Sequence, residues 1–235
     1  MKTKKEKITE YLQTSKEYFI SKKTIKQFIE VNGINVTSET LNSYIKEFKV
    51  QKIIFSAGRG WYTTVEKIGS LRTEPVQKVV SLLEKEYPFL EFNCWSTEQI
   101  QPYLHHLLGK HLTYIYTSRD AISNITDTLR DNGYSVLENP SKKEFKESIS
   151  KLNINVIVRA SIEREPANDT HYSPIEKVII DLIYENNMGE MYSDAEIEEA
   201  VMIVSKTLPL DVSQLIEYAY RKDINISEIL NNPTM

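Results

Sequence analysis

The sequence predicts an α+β chain: an N-terminal winged helix-turn-helix followed by a mixed α/β domain with a helical C-terminal tail. Three observations predict it. A β-prone pair of runs flanks a Gly58-Arg59-Gly60 tip, the acidic and basic residues divide unevenly along the chain, and the hydrophobic periodicity changes after about residue 75. The tip glycines allow positive φ and leave one cation at the apex, as a DNA-contacting wing requires.

Elements follow in order. Ile8, Tyr11 and Leu12 share one face of a first helix over 4–13. After a short extended piece, Tyr18-Phe19-Ile20, Ser21 is the N-cap candidate of a second helix with Ile25, Phe28 and Ile29 inward, stopped by Gly33. Thr37 or Ser38 caps a third helix carrying Leu41, Tyr44, Ile45 and Phe48 at i, i+3, i+4, i+7. This third helix takes the recognition position. Its outward face presents Thr40, Asn42, Ser43, Lys46 and Lys49. The hairpin over 51–64, containing Ile53, Ile54 and Phe55, closes the unit.

Gly69, Ser70 and Pro75 break the pattern, so the domains are expected at 1–68 and 75–235. Beyond the joint, a helix over 75–86 precedes a strand over 89–95. Ser96 or Thr97 then caps a helix with Pro102 near its first turn. A strand over 112–117, a helix over 119–131 ended by Asn132-Gly133, a strand over 134–137, a helix over 144–149 after Asn139-Pro140 and a strand over 154–158 complete the α/β part. The tail reads as helices over 174–185, 193–205 and 211–221 with a last turn near 227–230. Ser173 and Ser193 are N-cap candidates, and Pro174 is expected at the first helical position.

The net charge of −4 conceals an asymmetry. Residues 1–74 hold 14 Lys and Arg against 8 Asp and Glu, a net of +6, leaving 15 against 25, a net of −10, for the remainder. A basic DNA-facing module joined to an acidic domain fits that division. The single cysteine, Cys94, excludes an internal disulfide, and no Cys/His cluster has metal-ligand spacing, so no metal or cofactor is expected. With neither a signal-like apolar segment nor a run long enough to span a bilayer, a cytoplasmic protein is expected.

Catalytic patterns are scarce. The chain has no glycine-rich phosphate loop and no Gly-x-Ser-x-Gly elbow. His105 and His106 are adjacent and project from a helix in different directions, while His111 and His171 stand alone. Glu176 and Asp181, with Lys177, are the best candidates for a metal-dependent nuclease, but their five-residue step separates the carboxylates around a helix, and a solvated face accounts for them. A non-enzymatic protein is expected.

Six segments occur in order: Gly58-Arg59-Gly60-Trp61-Tyr62; Cys94-Trp95-Ser96-Thr97; Asn139-Pro140; Val156-Ile157-Val158-Arg159; Pro174-Ile175-Glu176-Lys177-Val178-Ile179-Ile180-Asp181; and Tyr218-Ala219-Tyr220-Arg221. Together they resemble the AbiEi family of antitoxins from abortive-infection, type IV toxin–antitoxin systems. The chain departs from that pattern at Tyr220, where a second basic residue is expected, and at the bulky Trp61. The resemblance implies a phage-defence antitoxin and transcriptional autorepressor. Its winged helix would bind inverted repeats of duplex DNA in its own promoter, and its second domain would counteract a nucleotidyltransferase-like toxin without a stable complex. Lys22, Lys23 and Lys46 would hold phosphates, Thr40, Asn42 and Ser43 would face the DNA with the last two nearest base edges, and Arg59 would enter the minor groove. Arg221 would serve the antitoxin function. The alternative is a one-component transcriptional regulator whose α/β domain binds a small effector.

Overall fold

The computed structural model describes residues 2–105, 110–151, 153–166 and 170–226. The expected last turn near 227–230, and His106, lie outside them. Within the described residues the chain is mixed α and β, with ten helices and two sheets.

The N-terminal unit runs α1 (Lys4–Thr14), β1 (Ile20–Ser21), α2 (Lys22–Val31), α3 (Ser38–Val50), β2 (Phe55–Ser56) and β3 (Trp61–Thr63). Side-chain oxygens cap each helix: Thr3 accepts from Glu6 N, Ser21 from Thr24 N and Thr37 from Thr40 N. The inward stripes meet in a core of Ile8, Leu12, Ile25, Ile29, Leu41, Ile45, Phe48 and Ile54. The piece read only as extended supplies a strand: β1 pairs antiparallel with β3, which pairs with β2, giving the order β1-β3-β2. The hairpin strands are shorter than the β-prone runs, because the chain is still turning at Lys52, at φ 55°, when it leaves α3.

Residues 64–73 carry neither helix nor strand, and α4 (Glu74–Glu86) begins after them. The second sheet follows as β4 (Phe92–Ser96), β5 (Thr113–Thr117), β6 (Val136–Glu138) and β7 (Val156–Ala160) in the order β4-β5-β7-β6. β4 is antiparallel to β5, while β5 and β6 both run parallel to β7. Period-two alternation sorts their side chains. Cys94, Ile115, Val156 and Val158 meet α4 and α6 (Ile122–Asp131) on one face. Trp95, Tyr114, Tyr116 and Ile157 meet Phe145 of α7 (Lys142–Ser150), α8 (Ile175–Gly189), α9 (Asp194–Thr207) and α10 (Val212–Arg221) on the other.

Several boundaries differ from expectation. β4 starts at Phe92, because Pro88 and the 98%-exposed Phe89 lie in the turn before it. The helix after Ser96 is α5 (Thr97–Ile100), one turn only, and Pro102 sits in a following 3-10 turn. Pro174 is the N-cap of α8 in extended conformation, not its first helical residue, so Ser173 does not cap it.

Phe19 and Ala57 of the N-terminal unit are buried with the α8, α9 and α10 side chains. Tyr18 Oη donates to the Lys206 carbonyl at 2.6 Å. Lys67 Nζ donates to the Ser205 carbonyl and lies 4.3 Å from the centroid of Phe19. The two predicted domains therefore share a packed boundary.

Candidate nucleic-acid interface and the charge cluster behind it

The N-cap of α2 doubles as the end of β1, which brings the start of that helix against the hairpin. The Lys22 backbone N–H donates to the Gly60 carbonyl at 2.8 Å, and Lys22 Nζ donates to Asn42 Oδ1 of α3 at 2.6 Å. Lys22 thus joins three elements that sequence spacing alone could not bring together. Lys23, Asn42, Ser43 and Lys46 are exposed as expected. Thr40 is half-buried, with its hydroxyl 3.0 Å from that of Thr37 in the α3 cap, which ties it to the helix start.

Arg59 is exposed at the hairpin tip, but the backbone beneath it is occupied. Its N–H donates to Ser213 Oγ at 3.1 Å, and the Ala57 carbonyl accepts from Val212 N at 2.9 Å. The tip is thereby seated on the first turn of α10. Gly58, at φ 101°, passes so close to Asp211 that a Cβ there would overlap its carboxylate. Asp211 caps α10 by accepting from Ser213 N at 2.9 Å and Gln214 N at 3.1 Å. Burial pushes its carboxyl up, but the bonds from Ser213 and Gln214 outweigh that and hold it below the usual value.

Between the second sheet and α8 lies a cluster that sequence spacing did not reveal. Tyr116 and Arg159 are register partners on adjacent strands and emerge on the same sheet face. Arg159 Nε and Nη2 donate to both oxygens of Glu185, at 2.9 and 2.8 Å, and Nη1 donates to the Pro140 carbonyl. Tyr116 Oη donates to the same carboxylate at 2.9 Å. One and two helical turns before Glu185 stand Asp181 and Lys177. Lys177 Nζ lies 2.8 Å from Asp181 Oδ2, 2.9 Å from Glu165 Oε2 and 3.7 Å from the Tyr116 ring centroid. Tyr218 Oη donates to Asp181 Oδ1 at 2.7 Å, and Lys222 Nζ reaches the same oxygen at 3.3 Å.

Glu176, Lys177 and Asp181 were read as surface residues, and the structure buries all three. The expected lack of convergence between the carboxylates holds: Glu176 turns away to accept from Asp211 N at 2.6 Å while Asp181 faces the cluster. Three cations and three carboxylates balance here, which is how charge survives desolvation. The missed signal was the i, i+4 recurrence of Lys177, Asp181 and Glu185 inside a run of Val and Ile, where solvated residues do not belong.

Arg221 serves a different end from a helix C-cap. Its Nη1 donates to the carbonyls of Glu163 and Arg164, at 2.9 and 3.2 Å, and Nη2 pairs with Glu217. It holds the turn that delivers Glu165 to Lys177. Cys94 is fully buried, and burial pushes its thiol far up, which leaves it inert as a nucleophile. His105 pairs with Glu199 at 3.1 Å, and His171 stacks on Phe92. Among the described residues no three potential metal ligands converge.

Residues 40–234, more than half of the chain, match the model of a family described as a family of unknown function, DUF6577. No curated protein matches the sequence.

Proposed function

The chain belongs to the DUF6577 family, whose description names no function; from the residues and contacts described above we propose that it is a non-enzymatic, cytoplasmic DNA-binding antitoxin that represses its own operon and counteracts a nucleotidyltransferase-like toxin. The observation carrying the DNA-binding half is the double attachment of Lys22, to Asn42 on α3 and to Gly60 at the hairpin tip. It gathers Lys22, Lys23, Asn42, Ser43, Lys46 and Arg59 on a module whose residues 1–74 net +6. In this reading the N-terminal unit is a winged helix, α3 enters the major groove and Arg59 reaches the minor groove beside it. The antitoxin half rests on the segments resembling AbiEi proteins, and Arg221 is its leading residue.

A mobility-shift titration of the full chain against its own upstream DNA tests the first half. Three lysines on phosphate correspond to a log-affinity slope against log salt of roughly −3, at ~0.9 per phosphate. Salt-indifferent or absent binding overturns it. Co-expression with a neighbouring nucleotidyltransferase-like gene tests the second half, through growth rescue without co-purification.

A further inference from the structure

Lys22 and Asn42 fix one another's chemistry between α2 and α3. Lys22 Nζ donates to the Asn42 amide at 2.6 Å. An ammonium has three donors and no acceptor, so the amide atom that faces it is the oxygen, and the pairing itself sets which way Asn42 points its two ends. The lysine is anchored in turn, because its backbone N–H is held by the Gly60 carbonyl at 2.8 Å. Asn42 is exposed in the N-terminal half of α3, and its Nδ2 has no partner among the described residues.

A free asparagine reads adenine by accepting from N6 and donating to N7, which uses both ends of the amide. With Oδ1 occupied by Lys22, Asn42 offers only the N–H donors of Nδ2. Guanine presents two neighbouring acceptors, N7 and O6, to such a group, whereas adenine sets its own N6 donor against it. The rest of the outward face agrees: Lys46 and Lys49 only donate, and Ser43 takes either role. Glu39 lies three residues before Asn42, but bonds from its own backbone N–H and the Thr37 hydroxyl hold its carboxyl below the usual value and engage it at the helix start. Resting on the DNA-binding reading, we propose that Asn42 reads guanine in the major groove and that Lys22 is the positioning residue that excludes adenine. The two remaining N–H groups of Lys22 serve the neighbouring phosphate.

Selection of random duplex DNA by the full chain, followed by mobility shifts with the enriched duplex, tests the pair. The base pair whose preference disappears in Asn42→Ala is the one that Asn42 contacts. Guanine should stand there, favoured over adenine by roughly tenfold or more, and 7-deazaguanine in its place should weaken binding. Adenine at that position, indifference to 7-deazaguanine, or an Asn42→Ala chain that loses no base preference overturns the assignment. Lys22→Met releases Oδ1 and should swing the preference toward adenine at that pair alone, while Lys22→Arg, still able to donate to Oδ1, should keep guanine. A uniform loss of affinity in Lys22→Met with the base preference unchanged reduces Lys22 to a phosphate contact and refutes its positioning role. Failure to retain any duplex at low salt sinks the DNA-binding reading and the proposal with it; duplex retained without a guanine at the Asn42 position sinks the proposal alone.

Discussion

The Arg59 backbone N–H is bound by Ser213, 154 residues along the chain, while the Arg59 side chain is exposed. Backbone and side chain at this position thus serve different masters, and substitutions separate them. Arg59→Ala removes the cation and keeps the N–H, so operator affinity should fall by roughly 1–3 kcal/mol, if the contact resembles a good groove contact. The melting curve should stay where it is. Unchanged affinity in a mobility-shift titration counts against the tip as a DNA contact.

Gly58→Ala acts on the other partner. A side chain there meets the Asp211 carboxylate and sits at positive φ. A residue forced into such a conformation costs about 1–3 kcal/mol, so the melting temperature should fall and the tip should exchange faster. A neutral substitution shows that the tip does not need its seat on α10.

Lys67 gives the boundary a pH signature. Burial pushes its ammonium down to about 8. Its unfolded value is ~10.4, so the folded chain sheds this proton first. Between about pH 8 and 10 the unfolded chain then binds more protons, and stability rises with pH. Denaturant titrations of the native chain minus those of Lys67→Met should slope upward through that window and be level below it. A level difference throughout removes Lys67 from the boundary's energetics.

The Arg159–Glu185 pair is nearly sealed from water, at 7% and 0% side-chain exposure. Arg159→Met alone leaves a buried carboxylate without its cation and should cost roughly 3–5 kcal/mol, whereas Arg159→Met with Glu185→Leu should recover most of it. Chemical denaturation of the single and double variants decides. Equal losses in both would place the value of the pair in packing.

Arg221→Ala should free the turn at Glu163 and Arg164 before it disturbs α10, since its bonds run to those carbonyls. The turn should become more open to limited proteolysis, and rescue of toxin-expressing cells should weaken. Full rescue with a loosened turn would make Arg221 a positioning residue of the fold alone.

The sequence made the N-terminal helices and their caps legible, because Ser21 and Thr37 announce helix starts through local hydrogen bonds. The α/β alternation was legible for the same local reason, through a switch between two periodicities. Three things were not. β1 is two residues long and exists only because β3 pairs with it. The seat of the tip on α10 joins positions far apart in sequence, which no window can see. The charge cluster looked like a solvated face because Lys, Asp and Glu are usually outside, and only the register of Tyr116 with Arg159 and the fold of the 162–165 turn around Lys177 bring its partners in.

The bond between Ala57 and Val212 also has a meaning in time. Its carbonyl leaves the ribosome well before its N–H exists, and at ~5–20 residues per second that interval is about 8–30 s for a separation such as the 154 residues between Arg59 and Ser213. The core from Ile8 through Tyr62 draws only on residues translated before α10, whereas the seat of the tip does not. The basic module can therefore gain its seat only once α10, the last helix among the described residues, has been translated.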